Sequence, residues 1–125
     1  HVYGCDWAVS PLVAPVLAAH ANVTFFRTDL YRESPPCHAD LVVSADFLEH
    51  ISPDAIDEVL RRIDTLGPSA FHKIACYDDG HSHLTILSPD EWLVRLHAID
   101  ADYRLERVED RHGDPTRQIA VFSRG

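Results

Sequence analysis

Leu41-Val42-Val43 is an unbroken apolar run that stops at the polar residues Asp46, Glu49 and His50, and Ser52-Pro53-Asp54 follows at once. Successive apolar positions over so short a run suit a strand covered on both faces, as at the centre of a parallel sheet. Serine as an N-cap, proline at the first helical position and an acid beside the positive dipole end open a helix. The segment is therefore strand, short loop, helix, with acids and a histidine at the strand's carboxyl end. Open α/β sheets build their ligand sites there. One helical turn after the strand would place Asp46, Glu49 and His50 at i, i+3 and i+4, on one face.

The rest of the chain alternates in the same way. His1 to Cys5 reads as a short strand ending at Asp6, and Ser10-Pro11 and Ala14-Pro15 give an irregular entry to a short helix reaching His20. Val23 to Phe26 is a strand by its β-branched and aromatic content, and Glu33 to His38 is a loop. Ile56, Val59, Leu60, Ile63 and Leu66 recur with helical period until Gly67-Pro68. Ala70 to Tyr77 is a strand, and Ser88-Pro89-Asp90-Glu91 is a capping box opening a helix with Trp92, Leu93, Leu96 and Ile99 inward. Tyr103 to Val108 and Gln118 to Phe122 form a closing strand pair. This order predicts one α/β domain over residues 1–125, with a mostly parallel sheet, helices on both faces and an antiparallel C-terminal hairpin.

Charge and cysteine content exclude several functions. A net charge of -9 over 125 residues disfavours nucleic acid or an anionic membrane as the main partner. Arg104, Arg107, Arg111 and Arg117 are interleaved with Glu106, Glu109, Asp110 and Asp114, which reads as a solvated face. Cys5, Cys37 and Cys76 are odd in number and widely spaced, fitting a reducing, cytoplasmic setting, with Cys5 and Cys76 buried and inert. No run has the length of a membrane span. The chain lacks methionine and opens at His1 inside a strand, so residue 1 is not expected to be a translation start.

The element order, together with Asp6, Asp29 and Leu48-Glu49-His50-Ile51, resembles the class I S-adenosylmethionine-dependent methyltransferases of small-molecule type. The resemblance covers the whole chain, from that family's second strand to its seventh, and implies a Rossmann-like methyltransferase sheet. It implies that Asp6, at the end of the second strand, accepts from the ribose hydroxyls, with Trp7 as an apolar wall for adenine. It implies that Asp29, followed by Leu30 after the third strand, receives the adenine amino group. His83, ahead of Ser88-Pro89-Asp90-Glu91-Trp92, matches a histidine that many members carry before their last helix. The chain departs from the family at the glycine-rich loop, for which Gly4-Cys5-Asp6 is the one degenerate candidate. With Asp6 ending the second strand, the first strand and its helix are missing. Their loss would leave a gap in the sheet and half a cofactor site, to be completed by a partner, an oligomer or a segment outside the chain.

Methyl transfer aligns the nucleophile with the methyl–sulfonium bond and often needs a base. Glu49, His50 and His83 are the catalytic candidates, followed by His81. Asp46, Glu49, His50 and His83 also resemble the divalent-metal ligands of some O-methyltransferases. The expected activity is S-adenosylmethionine-dependent methyl transfer to a hydroxyl or amine of a small-molecule substrate. The alternative is a non-catalytic methyltransferase-like binding or assembly module. A nucleotide-binding oxidoreductase would also want an acid after its second strand, but its glycine fingerprint is absent and Leu48-Glu49-His50-Ile51 has no role in it.

Overall fold

Two sheets carry the strands. The computed structural model describes residues 1–125 and contains β1 (Val2–Asp6), α1 (Val13–Ala19), β2 (Val23–Arg27), β3 (Leu41–Ala45), α2 (Ile56–Asp64), β4 (Ser69–Ala75), α3 (Pro89–His97), β5 (Arg104–Asp110) and β6 (Gln118–Arg124). β1 and β2 pair in parallel as one sheet, and the second has the order β3-β4-β6-β5. β3 and β4 are parallel, while β6 runs antiparallel to both β4 and β5. This is the expected α/β architecture, with parallel strands first and an antiparallel hairpin last.

The two sheets are separated by a gap between β1 and β3. No backbone hydrogen bond joins β1 to β3, and both present an unpaired edge. A cavity of about 340 Å³ lies between them, lined by Cys5 and Asp6 on one side and Val42 to Phe47 on the other. β3 is accordingly not covered on both faces: Leu41 is 53% and Val43 61% exposed. Cys5 is exposed for the same reason, against the expectation that it is buried.

The core lies on the other face of the four-stranded sheet. Ile56, Val59, Leu60 and Ile63 of α2 pack with Trp92 and Leu96 of α3 against Ala70, Ile74, Ala120 and Phe122. Fully burying each Ile, Val, Leu or Phe of this set contributes roughly 1.5–3 kcal/mol. α3 begins as its sequence dictates: Ser88 Oγ accepts from the Glu91 N–H, and the Glu91 carboxylate accepts from the Ser88 N–H.

α2 begins later than its sequence suggests. The Ser52 hydroxyl caps nothing; its carbonyl instead accepts from the N–H groups of both Ala55 and Ile56. Residues 52–55 therefore form a turn, and the helix starts at Ile56. Gly67 closes this unit because the Ala39 carbonyl lies where a Cβ would stand.

Candidate active site at the carboxyl ends of the strands

β1 and β2 end side by side, Asp6 beside Arg27, so the residues that follow each strand meet. Asp6, Trp7, Thr28, Asp29, Leu30 and Ile51 line one cavity of about 400 Å³. Its floor is held by the Thr28 N–H donating to the Asp6 carbonyl at 2.9 Å. Asp29 Oδ1 accepts from the Tyr31 N–H at 3.0 Å, and Oδ2 stands 3.5 Å from Arg32 Nε. Asp6 Oδ1 has only a long contact from the Ala8 N–H, at 3.4 Å, and its carboxylate is largely unused. Trp7 is 71% exposed at the cavity's edge.

The turn after β3 serves a second cavity as well. Leu48–His50 is a single 3₁₀ turn, preceded by Asp46 in the left-handed region at φ 49°. The three polar side chains consequently do not share a helical face: Glu49 and His50 stay close together, while Asp46 is turned to another partner. Asp46 points to the C-terminal hairpin, where both its oxygens stand 2.8 Å from Arg111 Nη2. Glu49 turns inward and is fully buried. His50 faces a polar cavity of about 800 Å³, shared with Asp46, Tyr77, Asp79, His83, Arg111 and Arg117.

Backbone pairing brings the distant histidine to this turn. The N–H groups of Leu84 and Thr85 both donate to the Glu49 carbonyl, at 2.8 and 3.0 Å, and the Thr85 hydroxyl donates to the Ile51 carbonyl. His50 and His83 then meet edge to face with ring centroids 5.0 Å apart. His50 Nδ1 lies 3.0 Å from the Ser82 carbonyl, and His83 Nδ1 lies 2.6 Å from the Tyr77 carbonyl. A carbonyl only accepts, so each Nδ1 carries a proton, and Nε2 is the ring atom left to face the cavity chemistry.

Glu49 Oε1 accepts from the Ala75 N–H at 3.2 Å, while the buried Oε2 has no hydrogen-bond partner. Burial pushes the Glu49 carboxyl above its ordinary range, opposed by the N–H bonds and by nearby His50. Ligand atoms of Glu49, His50 and His83 all lie within 4.8 Å of one another. One carboxylate and two imidazoles, each imidazole oriented by a carbonyl, suit a divalent transition metal with open positions. Asp46 stands outside this group, engaged by Arg111.

Asp79 is organised by its own loop. Burial alone would raise its pKa, but the Ser82 hydroxyl and the N–H groups of His83, Ser82 and His81 donate to it and hold it far below the usual carboxylate range. His81 is exposed and lies in the same cavity. Arg111, Arg117 and Tyr77 are the residues that sequence reasoning misses. The signal lies in the hairpin, because pairing Ala75 with Ile119 and Asp110 with Gln118 carries both arginines to the carboxyl end of β4.

No protein-family model matches this chain, and no curated protein matches it in sequence. Solved structures do match. A Burkholderia thailandensis 1,6-didemethyltoxoflavin-N1-methyltransferase, solved with 1,6-didemethyltoxoflavin and S-adenosylhomocysteine bound, is 19% identical with a TM-score of 0.74. The match covers 98% of this chain and 59% of that one. A DhpI–S-adenosylhomocysteine complex is 20% identical over all of this chain and 66% of its own, with a TM-score of 0.71. The mitomycin 7-O-methyltransferase MmcR is 19% identical over 91% of this chain and 37% of its own, with a TM-score of 0.61. The chain thus spans about three-fifths to two-thirds of the first two neighbours and a smaller share of the third. At these identities the likeness concerns the fold, and the fold is the Rossmann-like α/β sheet of the methyltransferases.

Proposed function

We propose that this chain forms the adenosine-binding and acceptor-facing part of an S-adenosylmethionine-dependent methyltransferase, acting on a hydroxyl or amine of a small molecule. One observation carries the reading: the turn 46–51 gives Phe47 and Ile51 to the cavity of Asp6 and Asp29, and Asp46 and His50 to the polar cavity. A cofactor in the first cavity would therefore border an acceptor in the second.

The first cavity fits an adenosine. Asp6 offers a carboxylate to paired ribose hydroxyls, Asp29 an acceptor for the adenine amino group, and Trp7 and Leu30 apolar walls. The bound cofactor would supply a methyl group on a sulfonium. On the acceptor side, the Nε2 atoms of His50 and His83 are the groups able to take a proton from the nucleophile. Alternatively, Glu49, His50 and His83 offer a carboxylate oxygen and two ring nitrogens that fit a divalent ion, which would acidify an acceptor hydroxyl in place of a histidine base. The free cysteines fit a reducing, cytoplasmic setting.

Calorimetry with S-adenosylhomocysteine tests this. We expect saturable binding, weakened about tenfold or more by Asp6→Ala, in line with the loss of charge-assisted hydrogen bonds. No saturable binding would leave the second reading, a non-catalytic module that docks a partner strand or a second copy. The unpaired edges of β1 and β3 and the bare Leu41 and Val43 favour that reading. One neighbour of this fold, with a TM-score of 0.64, is described as a pericyclic reaction enzyme, so the fold alone does not fix the chemistry.

A further inference from the structure

Arg111 and Arg117 converge on one atom. Arg111 Nη1 donates to the Tyr77 hydroxyl at 2.8 Å, and Arg117 Nη2 donates to the same oxygen at 3.3 Å. The Arg117 guanidinium carbon also lies over the Tyr77 ring, 5.0 Å from its centroid, at cation–π distance. Two cations held on one phenol oxygen repel each other unless anions balance them. Asp46 balances Arg111. Arg117 has no carboxylate within ion-pair distance; Asp114, whose carboxylate accepts from the Thr116 N–H and hydroxyl, feels its charge from farther away. The other acids of this cavity are also engaged, Asp79 within its own loop and Asp78 by the Gly80 N–H. Arg117 is therefore an oriented, exposed cation on the wall of the cavity that His50 and His83 enter.

We infer that the small molecule received by this cavity carries an oxyanion, a carboxylate or a phosphoryl or phosphonyl group, which docks on Arg117 and the outer edge of Arg111. A planar guanidinium presents paired donors matched to such oxygens, and its contacts with the Tyr77 ring and hydroxyl restrain it in advance. The anion then anchors one end of the acceptor while its hydroxyl or amine faces the imidazoles, the kind of positioning that lowers the entropy cost of a transfer step. This rests on the assignment of the polar cavity to the methyl acceptor, but its test is independent of cofactor.

The chain is titrated without cofactor against methylphosphonate, acetate and methylammonium, following the arginine side-chain N–H signals by NMR. Saturable shifts are expected with one or both anions and none with methylammonium. The tighter anion identifies the oxyanion class. Arg117→Gln should weaken binding about tenfold or more, and Arg117→Lys should give an intermediate loss, because it keeps charge without the paired donors. Arg61→Gln, on the exposed side of α2, should change nothing. Equal weakening by Arg61→Gln and Arg117→Gln, or no saturable shift with either anion, would overturn the inference. Either result would leave S-adenosylhomocysteine binding to be judged on its own.

Discussion

Arg111 Nη2 lies 2.8 Å from each carboxylate oxygen of Asp46, a residue 65 positions earlier in the chain. The pair joins the C-terminal hairpin to the turn after β3, at an Asp46 whose backbone is left-handed, φ 49°. Both side chains are partly exposed, 27% and 42%, so solvent screens the attraction. A double-mutant cycle of Arg111→Gln and Asp46→Asn, read by urea unfolding, should give a coupling of about 0.5–1 kcal/mol. Zero coupling would mean that the hairpin and the turn are not energetically joined.

The proposed metal group leads to a different ranking of the same turn. Zinc titration by calorimetry should show binding that falls roughly a hundredfold or more in His50→Ala, His83→Ala or Glu49→Gln, since losing even an outer partner of a ligand costs about 10–100-fold. Asp46→Asn should bind as the parent does, within about threefold, because Asp46 belongs to Arg111. A loss in Asp46→Asn as large as in His83→Ala would restore Asp46 as a ligand and contradict the geometry.

His72 sets a pH dependence of folding. It is fully buried, and its ring nitrogens contact Ser44 Oγ at 2.8 Å and the Tyr103 hydroxyl at 3.2 Å. Burial, and then the nearby Arg124 charge, push its pKa down to about 4 from 6.5. Between those values the unfolded chain binds a proton that the folded chain refuses, so stability rises with pH across this window and is lost as pH falls. The contribution is at most about 3 kcal/mol. Urea unfolding from pH 4 to 7 should show this slope in the parent and a flatter one in His72→Gln. An unchanged slope in the variant would assign the dependence to other groups.

The bare face of β3 gives a prediction about packing. Val43→Thr should change stability by less than about 0.5 kcal/mol, as surface substitutions usually do. Leu96→Ala, in the core beneath α3, should cost about 2–5 kcal/mol. Guanidinium unfolding compares them directly. A cost above about 1 kcal/mol for Val43→Thr would show that this face is covered in solution.

Local grammar made much of this molecule legible. The capping box at Ser88, the hairpin at the C-terminus and strand β3 itself follow from propensity and spacing, and the structure has them. Asp6 and Asp29 are foreseeable as strand-end acids, and parallel pairing puts them around one cavity. Ser52 misleads because Pro53 and Asp54 serve a turn as well as they serve a helix start. The shared face of Asp46, Glu49 and His50 fails because a positive φ at Asp46 breaks the helical count, and no spacing rule reveals it. Arg111 and Arg117 stay hidden because alternating charge in a hairpin looks solvated until pairing register carries it to a cavity. Val43 looks buried because β-branched runs usually are, yet burial needs a neighbour that composition cannot supply.

The wall of the first cavity is divided between two pieces of sheet: Asp6 ends one strand of the smaller and Asp29 follows its other, while Phe47 and Ile51 follow a strand of the larger. Any molecule gripping all four acts as a rivet across the divide. Its affinity and the stiffness of the whole assembly then become one thermodynamic quantity, so a ligand that tightens here must also slow hydrogen exchange in β1 and β2.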